Sequence, residues 1–230
     1  MINVDKVIVL HYKPLNKRKA LLSAFLKQYD IKATWITKEP SKADLKKFYK
    51  YSAENWDKKT RPDEIGEFGA LPPRKLTKSE LSLLYKHHIA LKRIIREKYE
   101  TTLVLEDDVL FTEDFVNTFN SHLEKTPADW DYIFPGSGCN LRITPSLIEE
   151  GKVAYLKEHP ATKCTDSMII KRAAAKKILS TFGEWDLPAD WEFNYQLKEH
   201  DMNVYWWEPP VIAQGSQCGV YETTIQNQTE

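Results

Sequence analysis

Apolar positions along this chain follow two rhythms, and their alternation sets out the fold. Val4 to Leu10 is a compact β-branched run, the pattern of a strand buried in a parallel sheet. Pro14 and Asn16 mark a turn, after which Ala20, Leu21, Ala24, Phe25 and Leu26 recur at helical spacing, and Ile31 to Ile36 supplies a second strand. Strand, helix and strand within about forty residues is a βαβ unit. Ser41 caps a short helix running to Tyr51, and from Ala53 to Lys75 the periodicity dissolves among Pro62, Gly66, Gly69, Pro72 and Pro73, which predicts a long loop. A strong helix follows: Thr77 and Glu80 make a capping box, and Leu81, Leu84, Tyr85, His88, Leu91, Ile94 and Ile95 share one face.

Thr101 to Leu105 is another apolar strand, and it runs straight into Glu106-Asp107-Asp108. Beyond it the pattern predicts helix over Glu113 to Lys125, strand over Asp131 to Phe134, strand over Ser167 to Ile170 and helix over Ala173 to Phe182. Helix over Trp191 to His200 and strand over Val204 to Trp207 complete the series, and past Pro209-Pro210 the tail reads as polar and irregular. The expected class is α/β, with a mostly parallel sheet flanked by helices; ligands of such sheets bind at the carboxyl ends of the strands. Glu106 to Asp108 stand at such an end.

Three adjacent carboxylates repel one another and call for a cation. Hard oxygen donors select Mg²⁺, Mn²⁺ or Ca²⁺ over zinc. Alternation along an extended backbone puts Glu106 and Asp108 on one side, as metal ligands, and Asp107 on the other, free to anchor a ribose or a backbone amide. The competing account is a solvated turn in which Asp107 or Asp108 caps the next helix.

Composition narrows the function classes. Hydrophobic residues make up 42% of the 230, enough for a core without staples. With 33 basic and 33 acidic side chains, the chain lacks the basic surplus of a general nucleic-acid binder. Cys139, Cys164 and Cys218 form no CxxC pair, so neither a disulfide framework nor a zinc site is expected, and a reducing compartment fits. No apolar run approaches the ~20 residues of a membrane span. As given, the chain reads as cytoplasmic, as peripheral at a membrane, or as a fragment of something longer.

The stretch from Lys78 to Phe119 resembles family-25 glycosyltransferases, the group of lipooligosaccharide-synthesis and collagen galactosyltransferases. Ser79-Glu80-Leu81-Ser82-Leu83-Leu84-Tyr85-Lys86-His87 is similar to the family's Gly-Glu-x-x-Cys-x-x-Ser-His helix, matching at Glu80 and His87, and Leu105-Glu106-Asp107-Asp108-Val109 is similar to its Leu-Glu-Asp-Asp-Val. Lys17-Arg18, Trp130 to Ile133, Asp166 to Lys171, Pro188-Ala189-Asp190 and Glu208 to Val211 resemble further segments in the family's order. The resemblance implies a GT-A-like (Rossmann-like) domain over residues 1–230, with a nucleotide-binding part over about 1–110 and an acceptor-binding part over about 111–230. It also implies a UDP-sugar donor with galactose as a candidate sugar, Mn²⁺ or Mg²⁺ as cofactor, and a glycan or glycoconjugate acceptor.

Roles follow from it. Asp190 takes the family position for the general base of an inverting transfer, with Glu192 as the alternative and a helix N-cap as the competing role of Asp190. His11 and Tyr12 end the first strand, where a nucleotide base could lie, and Arg18 pairs with phosphate or with solvent. Glu80, Lys86 and His87 belong to the donor side, although mid-helix His87 and His88 also fit a satisfied core. Gln214, Ser216 and Gln217 are candidates for a late metal or diphosphate contact, and Trp191, Trp206 and Trp207 for stacking on sugars or for the core. Two other classes stay open: metal-dependent nucleotidyl transfer, disfavoured because His11 to Pro14 lacks a glycine-rich phosphate loop, and a non-catalytic binding protein of transferase ancestry.

Overall fold

The computed structural model describes residues 1–60, 72–157 and 163–221. Strands are β1 (Lys6–Leu10), β2 (Ala33–Ile36), β3 (Thr101–Glu106), β4 (Val109–Phe111), β5 (Tyr132–Phe134), β6 (Ala154–Leu156), β7 (Ser167–Lys171), β8 (Val204–Trp207) and β9 (Ile212–Gln214). Helices are α1 (Asn16–Gln28), α2 (Lys42–Phe48), α3 (Ala53–Thr60), α4 (Lys78–Glu97), α5 (Phe115–Lys125), α6 (Arg172–Thr181) and α7 (Ala189–Glu199).

Seven strands form one sheet in the order β2-β1-β3-β7-β5-β8-β6. β2, β1, β3, β5 and β8 point the same way, while β7 runs against both its neighbours and β6 runs against β8. The sheet is thus mostly parallel and carries helices on both faces, the α/β arrangement expected from the sequence.

Period-two alternation divides the core between the faces. Ile8, Leu10, Val104, Met168, Ile170, Tyr132 and Trp206 face one way, under α4, α6 and α7 together with Phe48 of α2 and Trp56 of α3. Val7, Val9, Leu103, Leu105, Ile169 and Trp207 face the other way, under Leu22 and Leu26 of α1 and Phe115 and Phe119 of α5. Trp206 and Trp207 are therefore core side chains on opposite faces, not sugar platforms.

Local signals hold where they are strong. Ser41 with Asp44, and Thr77 with Glu80, form complete capping boxes at α2 and α4. Helix α4 is capped by Lys98, whose left-handed backbone (φ 60°) lets the Lys98 N–H donate to the Ile95 carbonyl at 3.3 Å and the Tyr99 N–H to the Ile94 carbonyl at 3.2 Å. Three departures stand out. Helix α3 occupies part of the predicted loop, because Trp56 is drawn into the core at no exposure; residues 61–71 of that loop lie outside the described residues. β6 escapes the pattern because it is a three-residue edge strand. The tail is not wholly irregular: β9 pairs antiparallel with β4, with Val109 opposite Gln214.

Buried histidines give the fold a pH signature. His87 is fully buried with no hydrogen-bond partner for either ring nitrogen, and its ring lies 4.9 Å from Phe193. Burial lowers its pKa to about 3. His88 packs on Phe48 at 4.6 Å and is lowered to about 4, chiefly by burial. Both rings must stay neutral in the folded state, so the unfolded chain binds protons first. Their stability contribution is whole above the unfolded value of 6.5 and is lost as pH falls toward 4 and then 3. In His87→Leu, the loss of unfolding free energy between about pH 7 and about pH 4.5 should shrink by roughly 2 to 3 kcal/mol, at about 1.4 kcal/mol per pKa unit. Chemical denaturation at the two pH values measures it, and an unchanged loss contradicts the assignment.

Candidate functional site

Sheet register assembles the acidic site. β1 and β3 are parallel with Leu10 opposite Glu106, so the next residues, His11 and Asp107, leave the sheet side by side. His11 Nδ1 and Asp107 Oδ2 are 2.7 Å apart, the Tyr12 backbone N–H donates to the same oxygen at 3.2 Å, and Arg18 on α1 donates to Asp107 Oδ1 at 3.2 Å. Asp107 thereby ties the end of β1 and the start of α1 to the acidic turn. Of the two roles read for it, the contact made here is to a backbone amide.

On the other flank β7 runs antiparallel with Leu105 opposite Ser167, which sets Asp166 beside Glu106; the Glu106 N–H donates to the Asp166 carbonyl at 2.7 Å. Thr165 Oγ1 donates to Glu106 Oε1 at 2.8 Å. Gly136, just past β5, leaves room for Asp166: a Cβ there would stand 2.5 Å from Asp166 Oδ2. Asp166 is a fourth carboxylate of the cluster that sequence reasoning did not place in the site. Its signals in the sequence are its position directly before the apolar run of β7 and its place at the head of a segment that resembles the family.

The ribbon of β4 and β9 brings the tail back over the acidic turn. The Gly215 N–H donates to the Asp108 carbonyl at 2.7 Å, and the Ser216 side chain hydrogen-bonds the Asp108 carboxylate. Gly215 is required by this closeness, since a Cβ would lie 2.7 Å from the Asp108 oxygen. Tyr221 crosses above, its ring centre 5.2 Å from the Arg18 guanidinium.

The electrostatic outcome is a cluster with too much negative charge. Asp107, Asp108 and Asp166 are buried, and Arg18 stands 3.2 Å from Asp107 and 3.9 Å from Asp108. Burial first, and the Asp108 charge second, hold the Glu106 carboxyl well above its ordinary range, against the Thr165 hydrogen bond. Burial also raises Asp108, opposed by Ser216 and Arg18, and pushes Asp166 up to about 7 against its bond from Ser167.

A divalent cation fits this donor set. Asp108 Oδ1 and Gln214 Oε1 are buried without a hydrogen-bond partner, and all the donors are hard oxygens. Among the described residues no three His, Cys, Asp or Glu side chains form a ready-made metal cage. Mg²⁺-like ions are commonly held in that way, by one or two carboxylates plus water and substrate phosphates.

Two cavities meet at Glu106 and Leu83, which line both. The first, about 310 Å³, lies between the end of β1, α1 and α4 and is lined by His11, Tyr12, Arg18 and Asp107. Lys86 also lines it, paired with Glu39 at 2.6 Å and with its Nζ 5.9 Å from the Tyr12 ring centre. The second, about 370 Å³, is lined by Asp190, Arg74, Glu80, Gln214, Ser216 and Gln217. It unites the start of α7 with the tail.

The remaining candidates separate. Asp190 is the second residue of α7, behind Pro188 at the cap position; it accepts the Trp191 N–H at 3.0 Å, and burial nevertheless keeps its carboxyl above the ordinary value. Glu192 lines neither cavity. It is fully buried, 3.0 Å from Lys59, which also binds Asp186 at 2.6 Å, so its charge is committed to tying α3 to α7 and the alternative base is corrected to a structural ion pair. Glu80 closes the capping box and grips Arg74 through two bonds of 2.9 and 2.6 Å, so it reaches the second cavity rather than the first and orients a cation there. Sequence reasoning passed over Arg74 because it lies in the prolyl stretch before α4. His87, expected on the donor side, is sealed against Phe193 and lines neither cavity, a core histidine by position.

Among the described residues no helix is long and apolar enough to cross a membrane. Comparison with known proteins adds the following. Over 137 residues, 57% of this chain, it is 26% identical to procollagen galactosyltransferase 2 of Homo sapiens, and the match spans 22% of that protein's length. Two solved structures match it distantly. A197 from STIV gives a TM-score of 0.43 at 15% identity, covering 87% of this chain and 81% of that one. A glycosyltransferase involved in the glycosylation of the major capsid of PBCV-1 gives 0.44 at 11% identity, covering 91% and 92%. The profile of glycosyltransferase family 25 (LPS biosynthesis protein) matches residues 67–192, a span that takes in α4, the acidic turn, Asp166 and Asp190. The chain belongs to glycosyltransferase family 25.

Proposed function

We propose that this glycosyltransferase moves a hexose, with galactose as the first candidate, from a UDP-sugar to a hydroxyl of a glycan or glycoconjugate, with inversion at the anomeric carbon. The observation that carries the reading is the position of Glu106, which lines both cavities where they meet at the end of β3 and is crowded there by Asp108 and Asp166. The first cavity supplies what a nucleoside diphosphate needs. Tyr12, 47% exposed, offers an aromatic face to the base, and Arg18 and Lys86 are cations within reach of phosphate. The galactose assignment rests on the name of the human relative, and a lipopolysaccharide-type acceptor on the description of the family.

Glu106 and Asp108, with Gln214 beside them, would hold a divalent cation. Bound there, such an ion neutralises charge that develops on a departing diphosphate. In the second cavity Asp190 takes the proton from the acceptor hydroxyl as its oxygen attacks the anomeric carbon and the bond from that carbon to the diphosphate oxygen breaks. A carboxyl whose pKa is raised by burial is a stronger base than a solvated one, which suits this task. Arg74, held by Glu80, stands at the same wall and fixes the local charge around Asp190.

The test is donor hydrolysis without acceptor, across UDP-galactose, UDP-glucose and UDP-N-acetylglucosamine, with Mn²⁺ or with a chelator. UDP release from one donor that needs the cation is the expected result. Binding of UDP without release from any donor would favour a non-catalytic descendant, and no binding at all would overturn the reading.

A further inference from the structure

Cys139 and Cys164 are 25 positions apart in sequence, yet the fold brings their sulfurs to 2.7 Å. Cys139 sits in the 3₁₀ turn Gly138–Asn140 and Cys164 in the segment leading to β7; both line the wall of the second cavity. Each is held in the left-handed backbone region, φ 56° and φ 64°, which few non-glycine residues adopt. Gly138 seats the turn: a Cβ there would run into the Lys163 carbonyl, so the two backbone segments touch directly. Cys139 is exposed and Cys164 half-buried, and the Gln217 amide lies 3.7 Å from the Cys164 sulfur. Both are free thiols in this structure.

We infer that Cys139 and Cys164 form a dithiol site in the cavity wall that reacts with small disulfides, the exposed Cys139 attacking and Cys164 resolving, to close a disulfide between the turn and the segment before β7. A disulfide bond is about 2.05 Å long, so the sulfurs need only a short approach. With glutathione disulfide as oxidant the steps balance. The Cys139 thiolate attacks one glutathione sulfur, the glutathione disulfide bond breaks, and one glutathione leaves as thiolate and takes up the proton that Cys139 gave up. The Cys164 thiol then loses its proton and attacks the Cys139 sulfur, expelling the second glutathione. Two protein thiols are oxidised by two electrons and one external disulfide is reduced to two thiols, through the ordinary mixed-disulfide route. Thr165, next to Cys164, bonds Glu106, so the link fixes the backbone beside the acidic cluster.

The test is peptide mapping by mass spectrometry of the whole chain after incubation with glutathione disulfide and alkylation of remaining thiols. A Cys139–Cys164 linked peptide, two hydrogens lighter than its parts and reversed by reductant, with Cys218 alkylated or singly glutathionylated, is the expected result. Cys164→Ser should stop at glutathionylated Cys139, and Cys139→Ser should leave Cys164 unlinked. A link through Cys218, or both thiols fully alkylated in the wild-type protein after prolonged exposure, overturns the inference. The wild-type map decides it even where a variant folds poorly.

Discussion

Asp108→Asn should lose cation-dependent turnover of the UDP-sugar by about 10³-fold or more and yet melt no lower than the parent. Both expectations come from the same charge. An ion on a leaving diphosphate contributes several kcal/mol to the transition state, and each ~1.4 kcal/mol is tenfold in rate. In the ion's absence, however, the Asp108 carboxylate is a liability: it raises Glu106 and Asp166 and is itself raised by burial. The folded state therefore keeps protons that the unfolded chain has already shed. Stability falls as pH rises from the ordinary carboxylate values of 3.8 and 4.5 through the raised ones, and the Asp166 part of the penalty, with its pKa at about 7, is present by about pH 8. Replacing the charge with an amide removes part of that penalty. Thermal melts at about pH 8 without metal, beside initial rates with Mn²⁺, test both halves. A variant that keeps its rate removes the metal reading, and one that unfolds shows the carboxylate to be structural.

Asp190→Asn is the second large effect. Loss of a general base typically costs 10²- to 10⁴-fold, and here it should fall on kcat, with the donor KM and UDP affinity near those of the parent, because Asp190 lines the second cavity and not the first. Since burial raises the Asp190 carboxyl, the parent's rate should climb with pH through that raised value, and the variant should lack this limb. Steady-state kinetics against pH separate the roles. If Asp190 were only part of the helix start, where it accepts the Trp191 amide, the substitution would lower stability and leave the pH profile in place.

The long elements were legible in the sequence because their signals are local. The capping box of Thr77 with Glu80, the heptad-like face of α4 and the apolar runs of β1 and β3 need no knowledge of the rest of the chain. The acidic turn was legible for another reason: three adjacent carboxylates directly after an apolar run repel one another and so stand out from their surroundings. Features of the site that depend on long-range pairing were not. Asp166 reaches Glu106 through the antiparallel register of β7, and Gly215 reaches Asp108 through a three-residue ribbon too short for any periodicity to show. The same limit applies to Arg74, whose place is set by Glu80, and to the thiols of Cys139 and Cys164, whose wide spacing argued against pairing.

His87 and Glu192 went the other way. Both carry chemistry by residue type and both lie near matching family segments, yet one packs on Phe193 and the other on Lys59. Residue type names a capability, and burial decides whether it is available. For Glu192 the decisive partner sits on α3, an element that the sequence pattern concealed inside a loop.

Calorimetric titration of UDP into the protein at about pH 8, with and without Mn²⁺, tests the coupling most directly. Binding of the nucleotide and the ion to one site is reciprocal, so Mn²⁺ should tighten UDP at least tenfold in the parent, by about 1.4 kcal/mol or more, and should leave Asp108→Asn unchanged. Equal UDP affinity with and without the cation in the parent would contradict the account.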